Sequence, residues 1–370
     1  MNLRKSLLLA SVIVILCGGG LLVSGQSPSP QGAVLAFPSG SQSCTSFCLD
    51  DTGGAVFGAN FDNDDYDGLL FVNKRNVSKM GWETGPNGER AVWVSQYGNV
   101  TFNLAGYQFA WAGMNEAGLM MSTMRLGGTQ NPAPDNRPPL ASPVWMQYLL
   151  DTCATIDDVL ATDDDVRVTP DNVDHFLVCD RTATCAVIEF LHGKRVVHTG
   201  AELPISALTN HTYTESLETW QAYSGESVET EWSSSLGRFI RAANQVQDFT
   251  PQGDSAVDYA FETLDIVSNS STRWSIVFDA ENLDVHFRTW NHPAIRSLSF
   301  DDLDFSCQTP VRMTKIKTEL SGNIADDLVD YDHDISLTHF VDFLDAWGIA
   351  IPESQADQLM RLMEGYSCEE

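Results

Sequence analysis

Alternating apolar and polar residues dominate the first third of the chain and predict a run of β-strands. The first two predicted strands flank residues 50–54, an Asp-Asp-Thr-Gly-Gly turn whose glycines favour a hairpin. Residues 113–118 are predicted to be the turn between the last two strands. The predicted strands of this third are residues 45–49, 55–60, 69–72, 91–96, 100–104, 108–112 and 119–124.

Helical periodicity appears from residue 142 onward and then alternates with further strands. A Ser-Pro pair opens the first helix, and Thr155 begins a Thr-Ile-Asp-Asp sequence typical of a helix cap. The predicted helices are residues 142–151, 155–161, 213–223, 236–246 and 256–267, and the later strands are 175–179, 185–190, 195–199, 274–279 and 283–289. This order indicates an α+β fold in which two antiparallel sheets stack with helices outside.

The two ends of the chain depart from this pattern. Residues 1–25 combine Arg4 and Lys5 with an apolar run and predict a signal peptide, hence a secreted or periplasmic protein without stable membrane association after signal removal. A retained signal anchor is the alternative, because apolar residues resume at 21–23. Residues 26–43 are rich in Ser, Pro and Gly and are interpreted as a leader. Residues 307–370 are predicted to be an acidic extension with helices at 336–347 and 353–364.

The charge balance narrows the possible partners. Asp and Glu number 50 against 21 Lys and Arg, a formal charge of −29. Nucleic-acid binding needs a basic footprint, so we predict no nucleic-acid partner. The sequence Asp330-x-Asp332-x-Asp334 resembles the start of a calcium loop, but Ile335 replaces the required Gly and the final Glu is missing. We interpret it as a solvated acidic turn and predict no metal.

The cysteine count is compatible with disulfides in an exported protein. Eight cysteines occur, one of them within the predicted signal. If one more is a free nucleophile, six remain, enough for three disulfides. Cys179 and Cys185 flank a predicted hairpin turn and are the best local pair. Counting alone then suggests the two other pairs, Cys307 with Cys368 and Cys48 with Cys153.

Cys44 and Asp62 are the first candidates for chemistry. Cys44 opens the first predicted strand, and Asp62 follows the second. A cut between Ser43 and Cys44 would give one residue both a thiol and a free α-amine, and the amine could act as the base that activates the thiol. An α-amine has an unperturbed pKa of about 7.7–8.0, which suits that role. The alternatives are a disulfide for Cys44 and a solvated turn for Asp62.

Five short motifs occur in order along the chain: Cys-Thr-Ser-Phe at 44–47, Phe-Gly-Ala-Asn-Phe-Asp at 57–62, Gly-Met-Asn-Glu-Ala-Gly-Leu at 113–119, Leu-Thr-Asn at 208–210 and Gly-Arg-Phe-Ile-Arg at 237–241. Together they resemble the linear amide C–N hydrolases, the choloylglycine hydrolase and penicillin V acylase family, over residues 44 to about 289. The resemblance implies an N-terminal-nucleophile (Ntn) hydrolase with a four-layer αββα sandwich at 44–306. It also implies a small-molecule N-acyl amide substrate, no cofactor and a possible homo-oligomer.

The resemblance also assigns roles to four residues. It makes Cys44 the nucleophile, Asp62 the residue that holds the new α-amine, and Asn210 a side-chain donor of the oxyanion hole. Arg238 becomes the arginine that organises the charge of the site. Asn210 also begins a possible glycosylation sequon and could cap a helix, and Arg238 could be a surface charge.

Two positions depart from the family pattern. Ala59 stands where the family usually has Arg, and Arg125 aligns near an oxyanion-hole position that is usually Asn or Tyr. We predict that Arg125 and Asn115 lie in the substrate and oxyanion environment, and we interpret Trp111 as a core residue. The expected reaction is amide hydrolysis through a thioester. The alternatives are an acyltransferase of the same fold and a catalytically inactive binding protein.

Overall fold

The computed structural model describes residues 43–63, 67–169, 172–223, 233–251, 255–346, 348–365 and 367–369. These residues lie within one structural unit, Val34–Glu370. The predicted signal peptide, the signal-anchor alternative and the leader up to residue 42 fall outside the described residues, so they stay predictions. Within the described ranges, no helix combines the length and apolar character needed to cross a bilayer.

Strands make up most of the regular structure. Those of the described residues are β1 (Ser43–Asp50), β2 (Ala55–Asp62), β3 (Leu69–Asn73), β4 (Val77–Met80), β5 (Val92–Val94), β6 (Asn99–Asn103), β7 (Ala110–Asn115), β8 (Met120–Arg125), β9 (Pro139–Leu140), β10 (Arg167–Val168), β11 (Asp174–Cys179), β12 (Cys185–Leu191), β13 (Lys194–Thr199), β14 (Ala207–Leu208), β15 (Thr272–Asp279), β16 (Asp284–Thr289), β17 (His292–Ser299), β18 (Arg312–Lys315), β19 (Gly322–Asn323), β20 (Val329–Asp330) and β21 (Ser367–Cys368).

The helices fall in the three regions where the sequence predicts them. They are α1 (Ser142–Thr152), α2 (Ile156–Ala161), α3 (Tyr213–Ala222), α4 (Ser235–Asp248), α5 (Ala256–Val267), α6 (His333–Ala346) and α7 (Glu353–Glu364). Short 3₁₀ turns lie at Thr162–Asp164, Gly200–Glu202, Phe300–Asp302 and Ala325–Asp327. The predicted cap of α2 is present: the Thr155 side chain accepts from the Asp158 N–H, and the Asp158 side chain accepts from the Thr155 N–H.

Two large sheets organise the molecule. The first has the order β14-β1-β2-β15-β16-β17-β19, and the second has the order β13-β12-β11-β8-β7-β6-β3-β18-β20. Small sheets join β9 with β10 and β21 with β4 and β5. The ladders are antiparallel except β9–β10 and β17–β19, which are parallel.

The two large sheets stack face to face and helices cover their outer faces. Strand β1 contacts β8 and β11 of the other sheet, while α4 and α5 pack on β1, β2 and β15. Helix α1 packs on β7 of the second sheet. β1 and β2 are therefore covered on both faces, which explains why nearly all their residues are buried. The predicted α+β sandwich of αββα layers is confirmed.

One predicted disulfide is wrong and two are present. Cys179 bonds Cys185 across the β11–β12 turn, and Cys307 bonds Cys368. Cys48 and Cys153 are instead buried free thiols. Counting cysteines could not reveal that β1 places Cys48 beside the Cys179–Cys185 bond, whereas Cys153 lies at the end of α1.

Three other predictions need correction. The turn predicted at 113–118 is shorter, because β7 continues through Asn115. The strand predicted at 91–96 shrinks to β5, Val92–Val94, which pairs only within a small sheet. Strands β17 and β18 were not predicted, since their many polar residues give no clear alternation.

The C-terminal segment contains the two predicted helices and also joins the sheets. Strands β18 and β20 extend one large sheet, β19 extends the other, and β21 pairs with β4. The acidic Asp330-x-Asp332-x-Asp334 sequence precedes and begins α6, where Asp332 accepts the Ile335 N–H at 2.9 Å. The domain boundary at 306 stays a prediction.

Candidate active site

Cys44 lies near the start of β1 and is almost fully buried, with 1% of its surface exposed. Its backbone N–H donates to the Asn210 Oδ1 at 2.9 Å. Its sulfur accepts hydrogen bonds from the Asp62 backbone N–H and the Trp111 side chain. The nitrogen and the sulfur of Cys44 are therefore both fixed by these contacts while Ser43 still precedes Cys44.

The environment of Cys44 keeps its thiol protonated. Burial, with a contribution from the nearby Asp62 carboxylate, raises the pKa of Cys44 to about 12, although the two hydrogen bonds and Arg238 lower it in part. A thiol with that pKa is ionised to about one part in 10⁵ at pH 7. Nucleophilic attack by Cys44 therefore requires a base that accepts the thiol proton as the bond forms.

Asp62 ends β2 and is fully buried. Its Oδ2 accepts from the Asn269 Nδ2 at 2.7 Å and its Oδ1 accepts from the Thr272 hydroxyl at 2.7 Å. Burial raises the pKa of Asp62 to about 6, against the lowering effects of Arg238, Thr272 and Asn269. The carboxylate is thus mainly ionised at neutral pH and titrates in a mildly acidic range. The alternative of a solvated turn is wrong for Asp62.

Arg238 joins the other three residues. It lies on α4 and is 1% exposed, so the surface-charge alternative is wrong. Its Nη1 donates to the Cys44 carbonyl at 2.6 Å and its Nη2 donates to the Asn210 Oδ1 at 2.9 Å. Nη1 also lies 3.6 Å from the Asp62 Oδ2. Burial lowers the pKa of Arg238, and the Asp62 charge opposes that effect.

Asn210 follows β14, the strand that pairs with β1. Its Oδ1 accepts from two donors, and its Nδ2 donates to the Arg125 carbonyl at 3.0 Å. These three partners fix the orientation of the amide. The helix-cap alternative is wrong, because Thr212 caps α3.

A buried network holds the residue before Asn210. The Thr209 carbonyl lies 2.6 Å from the His175 Nε2, and the His175 Nδ1 lies 3.0 Å from Glu189. The Asn210 N–H donates to the Ser235 hydroxyl at 2.8 Å. Asn210 is consequently positioned from its backbone as well as from its side chain.

The structure places the three other predicted positions in different surroundings. Ala59 is buried within β2, and the guanidinium beside the nucleophile comes from Arg238 on α4. Asn115 uses both side-chain N–H groups on the Leu150 and Cys153 carbonyls, so its predicted part in the oxyanion environment is wrong. Arg125 contacts Asn210 through its carbonyl, and its side chain lines a cleft.

This cleft shares one residue with the surroundings of the nucleophile, since Trp111 lines the cleft and also interacts with the Cys44 sulfur. Its cavity volume is about 70 Å³. The described lining residues are Leu104, Ala105, Phe109, Ala110, Trp111, Thr123, Arg125, Ser142, Pro143, Val173, Asp174 and Phe343. The cleft is mainly apolar, as expected of a site for a small molecule.

Sequence reasoning missed three residues that touch the site. Asn269 and Thr272 hold the Asp62 carboxylate; Thr272 begins β15, the strand that pairs with β2, and Asn269 lies three residues before it. No local pattern marks them. Trp111 is buried as predicted but also bonds the nucleophile sulfur.

Among the described residues, one group has metal-ligand geometry: Cys48, Cys179 and Cys185, whose sulfurs lie within 4.8 Å of one another. Cys179 and Cys185 form a disulfide, so neither supplies the thiolate that a soft metal requires. The cluster is therefore not a metal site in this redox state.

The two stacked antiparallel sheets with helices outside define the fold class of the chain as an αββα sandwich. The chain matches the model of the linear amide C–N hydrolases, choloylglycine hydrolase family, over residues 44–252 and belongs to this family. Members of this family hydrolyse linear amide C–N bonds, so the chain is assigned to the hydrolases.

Similar proteins agree with this assignment. A penicillin V acylase of Pectobacterium atrosepticum is 23% identical over 290 residues, which is 66% of this chain and 76% of that protein. The structure of penicillin V acylase from Agrobacterium tumefaciens aligns with a TM-score of 0.67 and 24% identity, covering 78% of this chain and 98% of its own. A variant of conjugated bile acid hydrolase from Clostridium perfringens aligns with a TM-score of 0.60 and 15% identity, covering 75% and 98%.

Proposed function

We propose that this protein is an exported amidase that cleaves a linear amide of an apolar acyl group, with Cys44 as an N-terminal nucleophile. Removal of residues 1–43 would release the α-amine of Cys44. The observation that carries this proposal is the hydrogen bond from the Cys44 nitrogen to the Asn210 Oδ1 at 2.9 Å. The atom that would become the base already has an acceptor that orients it.

The reaction follows from the surroundings of Cys44. The sulfur attacks the amide carbonyl carbon, and its proton passes to the α-amine because the thiol does not ionise by itself at neutral pH. The amine then gives the proton to the departing amine, leaving a thioester. Water attacks the thioester and releases the carboxylic acid. The ionised Asp62 stabilises the α-ammonium that exists between these steps.

Two donors would stabilise the negative oxygen of each tetrahedral intermediate. One is the second N–H of the Asn210 Nδ2, whose first N–H bonds the Arg125 carbonyl. The other is a backbone N–H. Loss of one such donor typically costs about 10²–10³ in rate. Arg238 keeps the Asn210 amide in this orientation by donating to its Oδ1.

Two disulfides support the proposal that residues 1–25 are a signal peptide that directs export. Disulfides persist in oxidising compartments and are rare in the reducing cytosol. Membrane fractionation of the expressed full-length chain would test the localisation. Recovery of the intact chain in the membrane fraction would favour the signal anchor.

Mass spectrometry of the protein and of two cysteine variants tests the mechanism. We expect the wild type to begin at Cys44 and to hydrolyse members of a panel of N-acyl amides. Cys44→Ala should retain the leader and lose hydrolysis. Cys48→Ala is the matched control, since Cys48 is another buried free thiol on β1 and should leave cleavage and hydrolysis intact.

Each contrary result has a defined meaning. An intact N-terminus in active wild type would exclude the α-amine of Cys44 as the base. Correct cleavage without any hydrolysis would favour the inactive binding protein. If an added acceptor amine captures most of the acyl group in place of water, the protein is an acyltransferase.

A further inference from the structure

We propose that Phe343, in the C-terminal segment, is a specificity-determining residue that forms one wall of the acyl-binding cleft and limits the size of the acyl group. This inference rests on the proposed function and extends it. Phe343 lies on α6, beyond residue 252, where the match to the family model ends. The matched family region therefore does not supply this wall.

Two residues that line the cleft also contact residues of the candidate active site. Trp111 hydrogen-bonds the Cys44 sulfur and also lines the cleft. Arg125 lines the cleft, and its carbonyl accepts from the Asn210 Nδ2 at 3.0 Å. An acyl carbon placed against the sulfur would therefore extend its chain along Trp111 into the cleft.

The chemistry of the walls selects an apolar acyl group. Phe109, Trp111, Val173 and Phe343 offer aromatic and aliphatic surface. Two of the polar lining residues are engaged with each other, since the Ser142 hydroxyl donates to the Asp174 carboxylate at 2.6 Å. An uncharged hydrocarbon or aromatic group gains most by entering such a site.

The enclosed space is small. A cavity of about 150 Å³ in another protein accommodates benzene, whereas the cavity volume here is about 70 Å³. An acyl group must then be compact or project towards the mouth. Phe343 is the one described lining residue from the segment after residue 306, and its ring occupies space that a larger acyl group would need.

Several contacts fix α6 against the loop that carries the opposite wall. Phe340, one turn before Phe343, packs on Phe109 with ring centroids 5.1 Å apart. The Tyr107 N–H donates to the Ser336 hydroxyl at 3.0 Å. In α7, the Met363 carbonyl accepts from the Gln108 Nε2 at 3.0 Å. The position of Phe343 is thus set by packing and hydrogen bonds, as a size filter requires.

Gln108 gives independent support for this attachment. Its φ of 64° lies in the left-handed region, which a residue with a side chain rarely adopts unless its surroundings enforce it. The side chain is fully buried and bonds the end of α7. The cleft-lining loop 104–110 and the C-terminal helices therefore form one packed unit.

Substitution of Phe343 tests the inference. The measured quantity is the ratio of kcat/KM for the 2-naphthylacetyl and acetyl amides of the same aniline. Because each methylene in an apolar pocket changes discrimination by about 10–200-fold, Phe343→Ala should raise this ratio by about tenfold or more, and Phe343→Trp should lower it. Phe343→Leu should fall between the wild type and Phe343→Ala.

Leu344→Ala is the matched control. Leu344 is the next residue on α6 and is 2% exposed, but it does not line the cleft. Its truncation should destabilise the same helix and leave the ratio within about twofold of the wild type. An unchanged ratio in all three Phe343 variants would overturn the inference, as would an equal change in Leu344→Ala.

A separate binding measurement distinguishes this inference from the proposed function. If the wild type hydrolyses none of the amides, the proposed function fails. Calorimetric titration with 2-naphthylacetate and acetate then tests the wall without catalysis. Tighter binding of 2-naphthylacetate to Phe343→Ala than to the wild type would support the wall, and equal binding would refute it.

Discussion

Replacement of Asp62 by Asn should make the folded protein more stable at neutral pH while removing activity. Burial raises the pKa of Asp62 from its ordinary value of 3.8 to about 6. The folded state therefore holds this proton more tightly than the unfolded state does. Between pH 3.8 and 6 the folded state binds more protons, so stability falls as pH rises.

The size of this effect follows from the two pKa values. Each pKa unit corresponds to about 1.4 kcal/mol, so ionisation of Asp62 lowers the free energy of unfolding by about 3 kcal/mol once the pH exceeds about 6. Asn has nearly the same shape and cannot ionise. It can still accept from Thr272 or Asn269, although it loses the charge interaction with Arg238.

Urea unfolding at several pH values provides the assay. Cys44→Ala is compared with Cys44→Ala/Asp62→Asn, so that neither protein has the nucleophile and both have the same chain. The difference between their free energies of unfolding should change by about 2 kcal/mol from pH 4 to pH 7, in favour of the Asn variant, because part of the full effect of about 3 kcal/mol is already present at pH 4. A difference that stays constant with pH would refute the reasoning. In the otherwise native chain, Asp62→Asn should lose hydrolysis.

Three other predictions concern pH and buried charge. In the mature enzyme, kcat/KM should fall on acidification, first as the α-amine of Cys44 takes up a proton near its ordinary pKa of about 7.7–8.0 and again as Asp62 is protonated at about pH 6; a flat profile from pH 8 to pH 4 would contradict this. Lys79→Met should lower the free energy of unfolding in urea by about 3–5 kcal/mol, because the buried Asp151 carboxylate loses the ammonium that lies 2.9 Å away in the wild type. The double variant Lys79→Met/Asp151→Asn should recover part of this loss, and no recovery would argue against the charge explanation. Burial opposes the protonated form of His333, but the hydrogen bonds that its ring donates to the Glu364 and Asp357 carboxylates raise its pKa. The stability that His333 contributes, below about 1 kcal/mol, should therefore be present at acidic pH and absent above its folded pKa. His333→Gln should abolish this pH dependence in urea unfolding, and a wild-type and variant difference that is constant from pH 5 to 9 would contradict it.

The sequence predicts those parts of the fold that local patterns control. The β1–β2 hairpin has clear strand patterns on both sides of a Gly-Gly turn, and α5 begins and ends where its periodicity does. By contrast, β17 exposes several residues near an edge of its sheet, and β18 is a short strand paired with β3. Strands of this kind depend on distant partners, so local alternation is a weak guide to them.

The sequence predicts the principal residues of the candidate site but not the residues that hold them in place. Cys44, Asp62, Asn210 and Arg238 occur within motifs that resemble one family, and the structure brings them together. The partners of Asp62 lie 207 and 210 positions further along the chain. The predicted disulfide between Cys48 and Cys153 is wrong for a similar reason, because an even number of cysteines does not show which of them lie close together.

The hydrogen bonds around Cys44 impose an order on biogenesis. The acceptor of its backbone N–H lies 166 positions downstream, and the guanidinium on its carbonyl lies 194 positions downstream. If the precursor is a zymogen that cuts itself before Cys44, cleavage must wait until the ribosome has released at least the first 238 residues and these have packed. Maturation would then act as a folding checkpoint. A chain truncated before α4 would keep its leader. An uncut leader would then identify molecules that have not folded.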